Sequence, residues 1–301
     1  MEPGVDLSTR LAVALDVGGT TVRSAIVSAA GDVAQVDERH SPSQAPANDI
    51  LDALASIIIH QTNGAPPGCA VEAVGIAMPA PFDYERGVSL MEHKFAALRG
   101  MAVGELLVAR LGLPLALVND ADGFALGAWW GEHRKVHRFL GVTIGTGVGS
   151  GFLVNGVPAH GFDGAPDGGE VWNLPFHDST VEDVVSAGAV VRAYHDLGGS
   201  RTLDEAAGIA GRAQHGDQTA LAAFARLGKD LGSSLAEVTL AFRPERVVVG
   251  GAVARSFPLF GPQAEDAYGV AASRAIPFTP SAVDEPALLG SGLSALGMVP
   301  R

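Results

Sequence analysis

The stretch LAVALDVGGTTVRSAIVSAAGDV (residues 11–33) has the pattern of a β-strand, a glycine-threonine turn, a second strand and another turn at Ala30-Gly31. The stretch RFLGVTIGTGVGSGFLVNGVPA (residues 138–159) repeats this plan and contains Asn155-Gly156, a pair that favours a tight hairpin turn. Two hairpins of one design, each opening one half of the chain, predict a duplicated architecture with a cleft between the halves.

Helices and strands alternate along the rest of the chain, which predicts an α/β fold with largely parallel sheets beyond the hairpins. Asn48 is a candidate N-cap for the first helix, and Gly112 is a candidate end for the second. The predicted helices cover residues 48–64, 102–112, about 121–131, about 180–195, 203–214, 217–241 and from about 287. The predicted strands cover residues 70–79, 114–118 and 245–251, and residues 155–178 form a long loop.

The amino-acid composition excludes several classes of protein and of binding partner. With 301 residues and 47% hydrophobic content, the chain can bury the cores of two domains. Its 20 basic and 33 acidic residues give a net charge of −13, so nucleic acid and anionic membranes are poor partners. A single cysteine, Cys69, excludes an internal disulfide and a multi-cysteine metal site. The absence of a signal-like start and of an apolar run near ~20 residues predicts a cytoplasmic protein.

The two glycine turns are candidate phosphate sites. In DVGGTT (residues 16–21), successive backbone N–H groups can converge on an anion and Thr20 can add a hydroxyl. Asp16, at the end of its strand, is placed to hold a hydrated Mg²⁺, although a plain hairpin with an acid at its rim is the alternative. In GTGVGSG (residues 145–151), Ser150 stands where a dinucleotide fingerprint needs glycine, and a strand follows instead of a helix. Together, the two turns could hold a triphosphate from both sides.

An apolar strand that runs directly into acids is the third feature. In LPLALVNDADGFALG (residues 113–127), Asn119, Asp120 and Asp122 follow the strand and precede a predicted helix. An aspartate fixed at a strand end could serve as a base for an attacking hydroxyl. Either aspartate could instead cap the helix. These residues by themselves leave both roles open.

Four motifs in this order and spacing resemble the ROK family of sugar kinases and related repressors: LDVGGTTVRSAIV, VNDADGFALGAWWGE, GVTIGTGVGSGFLVNG and ERVVVGGAVA. The resemblance covers essentially the whole chain. It implies a two-domain α/β fold of the actin-like ATPase (ribonuclease H-like) type, with nucleotide on one side of the cleft and sugar on the other. The implied domains are residues 1–120 plus about 287–301, and residues 121–286.

The same resemblance implies roles for individual residues, with ATP and Mg²⁺ as the nucleotide and metal. Asp120 matches the catalytic base, Asn119 matches a sugar ligand, and Asp122 is then left as the structural cap. The phosphate loops are implied at Gly18, Gly19 and Thr20 and at Gly145, Thr146 and Gly147, with Gly250 and Gly251 beside the adenosine.

One segment departs from the family pattern. Kinases of the family usually carry Gly-Glu-Ile-Gly-His followed by cysteines that bind structural zinc, whereas residues 168–188 here are GGEVWNLPFHDSTVEDVVSAG. Glu170 matches the first sugar-binding glutamate, and Asn173 stands at the histidine position. Every zinc cysteine is missing, so we predict no zinc site. The loop would instead pack through Trp172, Leu174 and Phe176.

Glu182 matches the second sugar-binding glutamate of the family. Ser179 and Glu182 also have the spacing of a helix capping box, so both roles stay open.

Sugar phosphorylation is the function that these features predict. A sugar-responsive repressor of the same family would need a helix-turn-helix ahead of the first hairpin, where only ten residues precede Leu11. A phosphatase or a polyphosphate-dependent kinase would need a basic groove, and none is evident. Glucose is the default acceptor, with other hexoses and N-acetylmannosamine as alternatives. Residues 79–100 are expected to contribute sugar contacts, and family members are often dimers, which leaves a homodimer open.

Overall fold

The computed structural model describes residues 10–298. Its strands, in chain order, are β1 (Leu11–Val17), β2 (Thr21–Ser28), β3 (Val33–His40), β4 (Val71–Met78), β5 (Phe82–Asp83), β6 (Val88–Ser89), β7 (Leu115–Asn119), β8 (Arg138–Ile144), β9 (Val148–Val154), β10 (Val157–Pro158), β11 (Pro175–Phe176), β12 (Ser179–Thr180), β13 (Arg246–Gly250) and β14 (Phe278–Pro280).

The α-helices are α1 (Ala47–Asn63), α2 (Val103–Leu111), α3 (Asp120–Ala128), α4 (Val181–Val184), α5 (Ala187–Asp196), α6 (Ala206–Gln214), α7 (Gln218–Val238), α8 (Gly261–Ala271) and α9 (Pro286–Ala295). A π-helical turn, Trp129–His133, extends α3, and 3-10 turns occupy Ala96–Leu98, Asp167–Gly169 and Ala252–Leu259. No helix within residues 10–298 is long and apolar enough to span a membrane.

The chain folds as two compact units. The N-terminal unit contains the residues up to Glu132 and those from Val283 onward, and the C-terminal unit is His133–Ala282. This grouping differs from the expected division after residue 120 and before residue 287, because α3 stays with the N-terminal unit. The cause is close backbone packing: a Cβ atom at Gly127 of α3 would overlap the carbonyl oxygen of Pro286 in α9.

The N-terminal unit is built on a five-stranded sheet in the order β3-β2-β1-β4-β7. β1 pairs antiparallel with β2 and parallel with β4, and β7 extends the parallel side. On one face of the sheet, Ile50, Leu54 and Ile58 of α1 join the core with Val13 and Leu15 of β1. The predicted hairpin, glycine turn and parallel strands are all present in this sheet.

One expectation for this unit was wrong, and one strand was missed. Helix α1 begins at Ala47 with Pro46 as its N-cap, so Asn48 lies inside the first turn. β3 was not predicted, because its sequence VAQVDERH carries few apolar residues and the strand lies at the sheet edge with alternating exposure. By contrast, α2 ends as predicted at Gly112, whose φ of 68° is the left-handed conformation that glycine adopts without strain.

The C-terminal unit repeats the plan with a sheet in the order β10-β9-β8-β13-β14. β8 and β9 form the second antiparallel hairpin, and β13 and β14 add parallel strands to it. Phe224, Leu231 and Leu235 of α7 share one core with Leu140 and Val142 of β8. The duplicated architecture predicted from the two glycine hairpins is therefore confirmed.

Candidate active site

The first glycine turn (residues 18–20) is a closed and anchored loop between β1 and β2. The Gly18 N–H donates to the Thr21 carbonyl at 2.8 Å, and the Ser43 hydroxyl donates to the Gly19 carbonyl at 2.6 Å. Within residues 10–298, the backbone N–H groups of Gly19 and Thr20 have no hydrogen-bond partner. A fixed turn with open N–H donors is suited to binding an anion.

The end of β7 positions Asn119 and Asp120, with Asn119 as the last strand residue and Asp120 as the first residue of α3. Asn119 is the N-cap, since its Oδ1 accepts the N–H groups of Ala121 at 2.9 Å and Asp122 at 3.2 Å. The assignment of the capping role to Asp122 was therefore wrong. The helix starts one residue earlier than expected, which moves the cap position to the asparagine.

The Asn119 amide is also oriented from the other side. Its Nδ2 donates to the Tyr84 hydroxyl at 3.1 Å, and that hydroxyl donates to the Met78 carbonyl at 2.9 Å. Because Oδ1 already accepts two backbone N–H groups, the group that Asn119 can offer a sugar is the second N–H of its amide. Tyr84 was not singled out in the sequence, although it lies in the segment expected to contribute to the sugar site.

Asp120 combines accessibility with a raised proton affinity. Desolvation by surrounding protein raises the pKa of Asp120 to about 6, with a further upward contribution from the charge of Asp122. The Ala121 N–H, which donates to Asp120 Oδ1 at 2.8 Å, and the positive charge of Lys94 oppose the rise in pKa. The residue still exposes a large part of its surface. A carboxylate with these properties can meet a substrate and accept its proton near neutral pH.

Asp16, near the end of β1, is a second carboxylate with raised proton affinity. Burial and then the charge of Asp120 raise the pKa of Asp16 to about 6, against the opposing charge of Arg23. Arg23 itself donates to Glu285 at 2.5 Å. Two neighbouring carboxylates that repel each other fit a divalent cation bound through oxygen. Mg²⁺ needs only one or two carboxylates, because it keeps several waters and also uses substrate phosphates.

The second glycine turn (residues 145–147) is held by a carboxylate. The Gly145 N–H donates to the Gly147 carbonyl at 2.9 Å, and the Val148 N–H donates to Oε2 of Glu182 at 2.9 Å. A Cβ atom at Gly147 would overlap that same Oε2 atom. Across the described chain, the N–H groups of Thr146 and Gly147 have no hydrogen-bond partner. This turn too presents open donors.

Glu182 is not part of the capping box that its spacing with Ser179 suggested. A capping box does form, but both of its residues lie one position further along the chain: Thr180 is the N-cap and Asp183 is its partner. Helix α4 begins at Val181, so the third helical position falls on Asp183. Glu182 is thereby free to contact the second glycine turn through Val148. Whether it also binds sugar stays a prediction.

The segment around Glu170 differs in part from its expected packing. Phe176 is buried and Leu174 packs against the core, as predicted, but Trp172 is 42% exposed. Its indole N–H donates to Oε2 of Glu170 at 2.8 Å, which keeps the ring beside the carboxylate at the surface. Asn173 is exposed next to them. Glu170 and Trp172 thus present their side chains together, and the exposed Asn173 follows them in the chain.

A cavity of about 680 Å³ lies in the C-terminal unit beside the end of β13. Its walls come from α5, α6 and the turns after Gly251, and they include Ala187, Val253 and Arg255. Gly250 and Gly251 do not line it themselves. Gly251 has a φ of 82°, and a Cβ atom there would lie 2.8 Å from the backbone nitrogen of Ile144. This close approach joins the end of β13 to the strand that leads into the second glycine turn.

Known proteins share the duplicated fold of this chain. The profile of the ROK family matches residues 12–298. This chain belongs to the ROK family. A glucokinase of Thermotoga maritima is 28% identical over 277 residues, which cover 84% of this chain and 86% of that protein.

Two solved structures have the same fold as this ROK protein. The ROK hexokinase from Thermus thermophilus superposes with a TM-score of 0.79 at 24% identity, covering 95% of this chain and 98% of that one. A ROK family glucokinase from Streptomyces griseus, in complex with glucose and AMPPNP, gives a TM-score of 0.74 at 23% identity, with coverages of 95% and 99%. The predicted actin-like ATPase fold is confirmed.

The absence of a zinc site stays a prediction for this ROK protein. In the described part of the chain, no group of three or more His, Cys, Asp or Glu side chains could hold a metal ion. The hairpin of β11 and β12, paired through Pro175 and Thr180, occupies the segment in which the family's cysteines would be expected.

Proposed function

We propose that this chain is a sugar kinase that transfers the γ-phosphoryl group of ATP to a hydroxyl of a hexose, with glucose as the first acceptor to test. The observation that carries the proposal is Asp120, an accessible carboxylate with a pKa of about 6 at the junction of β7 and α3. Membership of the ROK family and similarity to a glucokinase support the same conclusion. Other hexoses and N-acetylmannosamine stay within the proposal as alternative acceptors.

Asp120 acts as the general base in this proposal. It is ionised at neutral pH, and it takes the proton of the acceptor hydroxyl as the oxygen attacks the γ-phosphorus. A new bond forms between that oxygen and phosphorus, the bond to the β,γ-bridging oxygen breaks, and ADP leaves. A base whose pKa lies about one unit below the working pH is ionised and still has useful proton affinity.

The glycine turns supply electrostatic stabilisation. The N–H groups of Gly19 and Thr20 in one turn, and of Thr146 and Gly147 in the other, are open for phosphate oxygens. Asp16 would hold Mg²⁺ through water, and the bound ion would neutralise phosphate charge. Phosphoryl transfer needs mainly positioning and charge neutralisation from a protein, which these groups provide.

The remaining predicted ligands divide between nucleotide and sugar. The cavity after Gly251 is large enough for an adenosine moiety and has mostly apolar walls, which suits an aromatic base. For the sugar, we propose Asn119, Glu170, Asn173 and Glu182 as hydroxyl ligands. The amide of Asn119 would donate and the carboxylates would accept, which fits the mixed donor and acceptor character of sugar hydroxyls.

A coupled ADP-release assay tests the reaction, with a panel of hexoses and N-acetylmannosamine as acceptors and with ATP or polyphosphate as donor. We expect turnover with ATP and at least one hexose. Absence of turnover with every acceptor would contradict the proposal, and turnover with polyphosphate alone would assign a different donor. A homodimer and a cytoplasmic location belong to the same proposal, and light scattering tests the first.

A matched pair of variants tests the base. Asp120→Asn keeps the shape of the side chain and removes its basic oxygen, so the rate should fall by roughly 10²–10⁴-fold. Asp122→Asn makes the same chemical change two residues away and should have a much smaller effect, because Asn119 caps the helix. If a folded Asp120→Asn protein retained its activity while Asp122→Asn lost it, the assignment of Asp120 would be wrong.

A further inference from the structure

Lys94 covers the first glycine turn with its side chain. A Cβ atom built at Gly19 would lie 2.8 Å from Cδ and 3.1 Å from Cε of Lys94. The positive charge of Lys94 also reaches Asp120, whose pKa it lowers. Lys94 is exposed, and its ammonium group makes no hydrogen bond or ion pair within residues 10–298. A cation with uncommitted donors therefore lies beside both the turn and the acid.

The backbone around Lys94 is tied to the same turn. The next residue, Phe95, is fully buried and has a φ of 53°, a left-handed conformation that costs a bulky residue energy and persists only where packing enforces it. The Phe95 N–H donates to the Ser43 carbonyl at 2.9 Å. The hydroxyl of Ser43 in turn donates to the Gly19 carbonyl. These links fix the start of the Lys94 side chain relative to the first glycine turn.

We propose that Lys94 is a catalytic residue that binds the phosphoryl group being transferred, together with the N–H groups of Gly19 and Thr20. The proposal rests on the kinase function proposed above. An ammonium group offers three hydrogen-bond donors and a compact charge, which suits a phosphate oxygen. No sequence pattern indicates this role, because Lys94 lies in an irregular segment without periodicity.

Charge balance in the N-terminal unit supports this role. Asp16 and Asp120 are both negative and lie close enough for the charge of one to raise the pKa of the other. Arg23, whose charge acts on Asp16, forms an ion pair with Glu285. An anionic phosphoryl group that approaches these carboxylates is repelled unless positive charge compensates. Lys94 supplies such a charge beside the turn that carries the open N–H donors.

Substitution by methionine removes the charge and keeps the apolar stem that covers Gly19. With the acceptor found for the wild-type enzyme, Lys94→Met should lower kcat by about 10²-fold, the typical effect of losing one transition-state donor. The KM for the sugar should stay close to the wild-type value. Lys229→Met, at an exposed position of α7, is the matched control and should leave kcat unchanged. Wild-type kcat in Lys94→Met, or a change confined to the KM for the sugar, would overturn the proposal.

A measurement independent of turnover separates this proposal from the kinase function. The rate of lysine acylation is followed by peptide mass spectrometry on the wild-type protein, with and without the ATP analogue AMPPNP (with Mg²⁺) or tripolyphosphate. We expect either ligand to slow the acylation of Lys94 and to leave Lys229 unchanged. Protection of Lys94 in a protein that phosphorylated no sugar would support the phosphate-binding role while the kinase proposal failed. Equal acylation rates with and without both ligands would overturn the role of Lys94.

Discussion

Replacing Gly147 by alanine tests whether Glu182 holds the second glycine turn. A methyl group at residue 147 would overlap Oε2 of Glu182 and lie 3.3 Å from its Cδ. Relief of this overlap needs a shift of about 1 Å, which would stretch the bond from Val148 to that oxygen beyond ~3.5 Å, where a hydrogen bond no longer counts. The bond is 2.9 Å long before substitution.

The expected loss follows from the kind of bond that breaks. A hydrogen bond to a charged group contributes about 1.5–3 kcal/mol, and the partial exposure of Glu182 favours the lower end. We therefore expect Gly147→Ala to lower the free energy of unfolding by about 1–2 kcal/mol. Gly145→Ala is the matched control, because nothing lies within 4 Å of a Cβ atom at that position. It should cost less than ~0.5 kcal/mol.

A double-mutant cycle tests whether Glu182 is the group that the methyl group at residue 147 displaces. Glu182→Ala removes the same hydrogen bond and should cost a similar amount, about 1–2 kcal/mol. In the double variant no carboxylate remains for the new methyl group to displace, so its cost should equal that of Glu182→Ala alone. Urea unfolding followed by circular dichroism measures all four proteins. Additive losses, or a Gly147→Ala protein as stable as Gly145→Ala, would show that Glu182 does not hold the turn in solution.

The remaining predictions concern pH and zinc. The kcat of the kinase should fall below about pH 6, because a protonated carboxyl cannot accept the substrate proton. Desolvation by surrounding protein, together with the charge of Asp122, raises the pKa of Asp120 to about 6, and the charge of Lys94 opposes the rise. Asp16 has the same raised pKa of about 6, so folding strengthens proton binding at both groups, and their contribution to the free energy of unfolding should rise as the pH falls from about 7 towards 4. A pH–rate profile checks the fall in kcat, and a kcat that stayed level down to about pH 5 would contradict it. Unfolding curves of wild type and Asp120→Asn at several pH values check the rise in the contribution to the free energy of unfolding. Elemental analysis of the purified protein should find no stoichiometric zinc, and Tm should not change on treatment with a strong chelator; a bound equivalent of zinc, or a large drop in Tm, would refute the prediction.

The regular part of the fold could be predicted because its sequence signals are local. Each hairpin has apolar strands on both sides of a glycine turn, and α2 carries its own stop signal at Gly112. β3 has no such signal, since an edge strand needs little apolar surface to be stable within a sheet. Helix starts were misplaced by one residue at Asn119 and Thr180, because several adjacent residues there could cap and only the packed helix decides between them.

Some residues of the candidate site could be predicted from the sequence and others could not. The position of Asp120 could be predicted because an acid directly after an apolar strand is visible in the sequence, whereas its role as base was implied only by the resemblance to the ROK family. Tyr84 and Lys94 could not be predicted, since they belong to an irregular segment whose contacts with Asn119 and Gly19 depend on the folded chain. The contact between Glu182 and the second glycine turn likewise joins residues far apart in sequence. Side-chain partners of this kind follow from tertiary packing and not from periodicity or spacing.

The structure indicates what stabilises the loop before α4. The hydroxyl of Ser150 donates to the Gly169 carbonyl at 2.7 Å and accepts the Val171 N–H at 3.1 Å, which fixes the start of the loop to β9. At its end, the Glu182 N–H donates to the Trp172 carbonyl at 3.0 Å. The carboxylate of the same glutamate binds the second glycine turn. Glu182 therefore connects two parts of the site: its backbone N–H binds the loop that carries Glu170, and its carboxylate binds the turn that presents the open N–H donors.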